Sequence, residues 1–244
     1  MKGLQSNMKA LINIATSAEE AQCQADIAIL PVGSFEQHGA YLPLATDTIV
    51  ACAIANEISQ RYAVRVLPPV TMSCSHEHAS WPGTVSISAR TLYSVIVDIA
   101  ASLRQSGVGR LVLINGHGGN YVLSNVVQEY TATHGPTMSL FPHSTDWTLA
   151  RQHAGMTTDS HTDMHAGELE TSILLHVAPD VVRAGNETGD WRADDRPYLL
   201  TLGMKAYTES GVIGLPSLGT AEKGAACLSS IADAFKAHVE ALHA

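Results

Sequence analysis

The chain has 244 residues, 45% of them hydrophobic and 15% charged, which suits one α/β domain over 1–244 with a sizeable core. Fourteen Lys and Arg against 23 Asp and Glu give a net charge of −9 with no basic run, and this excludes nucleic-acid binding. No apolar run reaches the roughly 18 residues of a membrane helix. The opening MKGLQSNMKALINIATSAEE lacks the apolar core of a signal peptide. Cys23, Cys52, Cys74 and Cys227 form no CxxC pair, which fits a reducing, cytoplasmic compartment. A charge fraction below the usual share of about 25% points to surface covered in a homo-oligomer.

In chain order, IAILPV (27–32) predicts a buried strand and DTIVACAIANEISQ (47–60) a helix that Thr46 or Asp47 caps. VRVLPPV (64–70) predicts a second strand, 71–88 a long loop, 89–105 a helix stopped by Gly107, and 110–114 a third strand. A helix over 121–134, a strand over 137–142, a helix over 169–177, an irregular stretch over 183–211 and a C-terminal amphipathic helix complete the reading. Strands alternating with helices predict an α/β fold with a mostly parallel sheet, whose sites form beyond the carboxyl ends of the strands.

Twelve histidines are present, several of them in Gly- or Asp-rich loops at such ends. Glu36 and His38 are two apart in an extended segment, so a carboxylate and an imidazole face one point. Asp47 reads as a helix cap or as a carboxylate ligand bridging two metals, and the roles are compatible. In NGHGGN (115–120), glycines flank His117 and let the backbone approach a ligand, while Asn115 and Asn120 orient the loop or bind substrate. His165 precedes Gly167 and reads as a general acid or base. Glu168 and Glu170 diverge by about 200° on a helix, so one of them faces the site. Ser75, His76, Glu77 and His78 lie in a loop that reads as a pocket wall; Ser75 and His78 are candidate substrate contacts. Trp81 covers a flat substrate or fills the core.

Taken together, GSFEQHGAYLPLATD (33–47), EHASWPGT (77–84), NGHGGN (115–120), HAGELETS (165–172) and GVIGLPSLGTAEKG (211–224) resemble, in order and spacing, the motifs of the creatininase family over residues 27 to 240. The resemblance implies a three-layer α/β/α fold. It also implies two divalent ions per subunit (Zn, Mn or Fe) held by Glu36, His38, the bridging Asp47 and His117, with Glu170 as a further ligand. It implies a water made reactive by metal that attacks a small amide, with His165 and Glu168 handling protons, and a hexamer. The sequence departs from creatinine-hydrolysing members at Gly119, where they carry a ligand glutamate. It departs again at Tyr41, Leu215 and His161, the last in place of a tryptophan. These departures point to a formamide, cyclic amide or peptide bond rather than creatinine itself.

Competing readings are a two-metal phosphoesterase or lyase, disfavoured because Arg and Lys are missing from these clusters, and a non-catalytic metal or metabolite binder. A serine hydrolase lacks its GxSxG elbow.

Overall fold

The computed structural model describes residues 14–244; the expected absence of a signal peptide concerns residues that lie mostly outside this range. Four strands, β1 (Ile27–Val32), β2 (Arg65–Val66), β3 (Arg110–Asn115) and β4 (Met138–Phe141), form an all-parallel sheet in the order β2-β1-β3-β4. Every residue of β1 is buried. Alternation explains why: Ile27 and Ile29 pack into one apolar layer, Ala28, Leu30 and Val32 into the other. Helices therefore cover both faces, giving three α/β/α layers.

One layer holds α2 (Thr46–Ser59), α5 (Ser144–His153), α6 (Glu168–Val177) and the long C-terminal α8 (Ala221–Leu242). The other holds α3 (Ala89–Gln105) and α4 (Val122–His134). Short helices α1 (Ser17–Gln22) and α7 (Leu199–Leu202) lie outside this frame. Helix α3 starts at an Ser88 cap, whose hydroxyl accepts from Thr91 N–H, and stops at Gly107, whose φ of 87° ends the helical turn. Cys52 and Cys227 are buried helix residues, as read from their Ala-rich surroundings.

Three elements differ from the sequence reading. Strand β2 shrinks to two residues and resumes only as a single bridge, Val32 to Val70, because Pro68 and Pro69 have no N–H for a ladder. Helix α5 occupies a segment without a strong periodic signal. The stretch 183–211 contains α7 and short 3-10 turns rather than only irregular chain. Among the described residues no helix is long and apolar enough to cross a membrane.

Candidate metal centre

The chain leaves β1 to reach β2 on one side, and β3 then returns to the other side of β1. The carboxyl ends of β1 and β3 thus flank the switch point of the sheet, where a crevice opens. Two glycines let helix α2 enter it. A side chain on Gly33 would meet the Thr48 backbone at 2.4 Å, and one on Gly116 would meet the Asp47 carbonyl oxygen at 2.3 Å. Asp47, in the first turn of α2, is thereby pressed between the two strand ends.

There its two oxygens face different histidines. Oδ1 lies 3.0 Å from His38 Nε2, and Oδ2 lies 2.9 Å from His117 Nδ1, with the Ser34 hydroxyl donating to Oδ2 at 2.6 Å. Glu170 Oε1 stands 3.9 Å from His38 Nε2. Glu36 Oε1 lies 3.2 Å from His78 Nε2 and 3.7 Å from His165 Nδ1, and its Oε2 lies 3.2 Å from His117 Nε2. Three overlapping sets, Glu36/Asp47/His117, His38/Asp47/Glu170 and Glu36/His38/His165, each place their donor atoms within 4.8 Å of one another. The chain outside the cluster fixes the rings. His38 Nδ1–H donates to the Glu36 carbonyl at 3.0 Å, which leaves Nε2 facing Asp47. His165 Nε2–H donates to the Gln37 carbonyl at 2.7 Å, which leaves Nδ1 facing Glu36.

Charge in this pocket is out of balance. Burial pushes Glu36 up to about 8 and Glu170 up to about 7. Burial also opposes ionisation of Asp47, yet His38 and His117 hold it well below the usual carboxylate range. Against the same burial, the carboxylates raise His38 to about 9 and His117 to about 10. Burial and the neighbouring rings keep His78, at about 3, and His165 neutral. Both Glu36 oxygens are buried, and neither accepts a directed hydrogen bond among the described residues. An unpaired buried carboxylate costs several kcal/mol unless a cation joins it. The mixed imidazole and carboxylate donors are those that zinc, manganese and iron accept. The residues therefore fit divalent metal.

The sequence-predicted residues divide clearly. Glu36, His38, Asp47, His117, His165 and Glu170 come together. His78 joins them beside Glu36, and the buried Ser75 hydroxyl lies against the Glu36 carboxylate rather than on a cavity wall. Glu168 is not brought to the cluster: its Oε1 pairs with Lys223 Nζ at 2.6 Å, and its Oε2 accepts from the Thr158 hydroxyl at 2.6 Å and the Thr158 N–H at 3.2 Å. Asn120 is a loop tie, not an open contact. Its amide donates to Asn115 Oδ1 at 3.0 Å, and its oxygen accepts from Cys74 N–H at 3.3 Å. Trp81 lines neither cavity at the site and packs under Lys205 Nζ, 5.9 Å from its ring.

Sequence reading missed Gln37. Its Nε2 donates to His78 Nδ1 and to the Gly211 carbonyl, both at 2.9 Å, so it orients one ring while its backbone oxygen orients His165. Its place between the two donors of an ExH pair was the available signal. Also missed were Tyr121, Leu200 and Leu202. An inner cavity of about 100 Å³ touches His117, His165 and Glu170. An outer one of about 350 Å³ shares Glu77, Gly119 and Tyr121 with it and runs out past Leu200 and Leu202.

The sequence profile of the creatininase family, creatinine amidohydrolase, matches residues 14–239. The chain belongs to the creatininase family. It is 32% identical over 220 residues to the mycofactocin precursor peptide peptidase of Mycolicibacterium smegmatis, covering 86% of this chain and 82% of that protein. It is 25% identical over 233 residues to the creatinine amidohydrolase of Pseudomonas putida, covering 86% and 88%. A solved structure described as creatininase Mn superposes with a TM-score of 0.76 at 24% identity, over 93% of this chain and 97% of that one. The family confirms the three-layer fold, and the chain is a metal-dependent hydrolase of amide-type C–N bonds.

Proposed function

We propose that this family member cleaves the amide bond of an extended, peptide-type substrate with divalent metal that Asp47, set between His38 and His117, would help to hold. The observation that carries this reading is a pair of neighbouring cavities that share Glu77, Gly119 and Tyr121 as walls. A small cyclic amide fills no more than the inner one, whereas a chain passing through both would set its amide at the donor cluster and its side chains against Tyr121, Leu200 and Leu202. The name of the relative at 32% identity, a precursor peptide peptidase, agrees with such a substrate. Among the described residues, neither cavity is lined by Lys or Arg, so a phosphoester would lack its clamp.

His38 and Glu170 would hold one ion and Glu36 and His117 the other. When bound, the ions supply Lewis acidity toward a carbonyl and bring the pKa of water toward about 7. His165 is neutral, with its Nε2 proton committed to Gln37, so its free Nδ1 takes a proton at the site and returns it to the leaving nitrogen. Gln37 and His78 keep that ring in place. Glu168 anchors the start of α6 and takes no part in proton transfer. The ions are zinc, manganese or iron, and the protein works as a cytoplasmic hexamer.

The test is a substrate comparison with metal-replete protein. Short peptides with apolar side chains beside the scissile bond are expected to be turned over with higher kcat/KM than formamides or creatinine. Preference for creatinine would remove the peptide reading.

A further inference from the structure

A second donor cluster lies at the far edge of the sheet, on residues the catalytic site does not use. His143 stands between β4 and α5, Asp146 in the first turn of α5, and His238 on α8. Their donor atoms lie within 4.8 Å of one another. The geometry points to a remote divalent-cation site here, of the zinc class, that fastens the C-terminal helix to the edge strand β4 and the start of α5.

Each side chain is already set for that task. His238 is 6% exposed, walled by Phe141, whose ring centroid lies 4.7 Å away. Its Nδ1 shares a hydrogen bond with the Ser139 hydroxyl on β4 at 2.8 Å, which fixes the ring with Nε2 turned toward Asp146. This is the outer support that ligand histidines use. Asp146 Oδ2 is pinned by the His143 backbone N–H at 2.7 Å. It lies 3.7 Å from His238 Nε2, too far for a hydrogen bond. Two ligand atoms on one tetrahedral zinc, each about 2.0–2.1 Å from the metal, are about 3.4 Å apart, close to that spacing. The His143 and His238 rings lie 4.6 Å apart and tilted by 52°, as two imidazoles converging on one ion can. Burial, then the His143 ring, lower the pKa of His238 and keep it a lone-pair donor at neutral pH. His143 is exposed, which leaves a path for the ion and a position for water as fourth ligand.

The inference is independent of the substrate proposed above. Zn²⁺ bound per chain is counted by equilibrium dialysis and elemental analysis in wild type, His143→Ala and His238→Gln, with the melting midpoint followed as Zn²⁺ is added. Both variants are expected to hold one equivalent fewer than wild type, to lose the matching Zn²⁺-dependent rise in midpoint, and to keep wild-type amide turnover. His143 is exposed, so its variant tests the site even if His238→Gln folds poorly. A His143→Ala protein that binds as many equivalents as wild type overturns the inference.

Discussion

Two groups of buried carboxylates, Asp163 with Glu168 and Glu36 with its histidines, are treated in opposite ways. Asp163 and Glu168 are as buried as Glu36. Asp163 Oδ1 accepts from Glu168 N–H at 2.6 Å, and its Oδ2 accepts from Leu169 N–H and Arg151 Nη1, both at 3.0 Å. Glu168 is held by Thr158 and Lys223. Glu36 has imidazole edges and the Ser75 hydroxyl around it, and neither of its oxygens accepts a directed hydrogen bond among the described residues. Equal burial with unequal satisfaction separates an acid that closes the structure from one that a cation completes.

The largest effect belongs to Asp47→Ala. It removes both contacts that join the His38 and His117 sides, so metal content should fall to that of sites elsewhere in the protein. Turnover should fall by more than the roughly 100- to 10,000-fold that acid–base assistance supplies. The fold should survive, since Asp47 provides no core packing. Full metal content in the purified variant would end the bridging role. Glu168→Gln should do the reverse. It strips a buried partner from Lys223 and should lower unfolding stability by about 3 kcal/mol, read from the urea midpoint, while metal content stays at the wild-type level. Loss of metal without loss of stability would return Glu168 to the centre.

Metal removal should make stability fall with rising pH. Glu36 and Glu170 have folded pKa values raised to about 8 and about 7, so the folded chain binds more protons than the unfolded one once pH passes about 4.5. His38 and His117, raised to about 9 and about 10, add the same sign above about 6.5. Stability from these groups is complete below the unfolded values and lost as pH climbs through the folded ones. Asp47, lowered, gives its stabilisation above its unfolded value near 3.8 and adds no slope at neutral pH. The melting midpoint of chelator-treated protein should therefore drop between pH 6 and 9, and added metal should flatten the curve. A chelated midpoint that rises over that range would contradict the charge arrangement.

Much of this contrast was legible in the sequence. An i, i+2 pair in an extended segment and a histidine between glycines need only local geometry, so spacing made Glu36, His38 and His117 candidates, while their union in one ligand set was what the family resemblance implied. The choice between Glu168 and Glu170 could not. Helical period separates them by about 200°, but the deciding partner, Lys223, lies 55 residues further on, in a motif with no visible link to the first. Asn120 and Trp81 kept two readings each for a related reason: an amide or indole at a loop gives no sign of whether its partners come from the chain or from a ligand. The parallel sheet followed from alternation, whereas its strand order was not legible, and α5 and α7 are set by packing on α8 and over the crevice rather than by local pattern.

The smallest effect should come from the walls of the crevice, and it separates Leu202 from Trp81. Leu202 is 58% exposed at the outer cavity, while Trp81 lies outside that lining. If a peptide covers Leu202, truncation to Ala removes apolar area worth about 1 kcal/mol, or about fivefold in KM, with kcat nearly unchanged, because the contact exists equally before and during the reaction. Trp81→Phe should leave KM and kcat within about twofold, since ring packing near Lys205 survives and the lost indole N–H has no partner among the described residues. The reverse outcome, a KM shift in Trp81→Phe and none in Leu202→Ala, would move the substrate to the other side of the 76–78 turn and make the indole its cover.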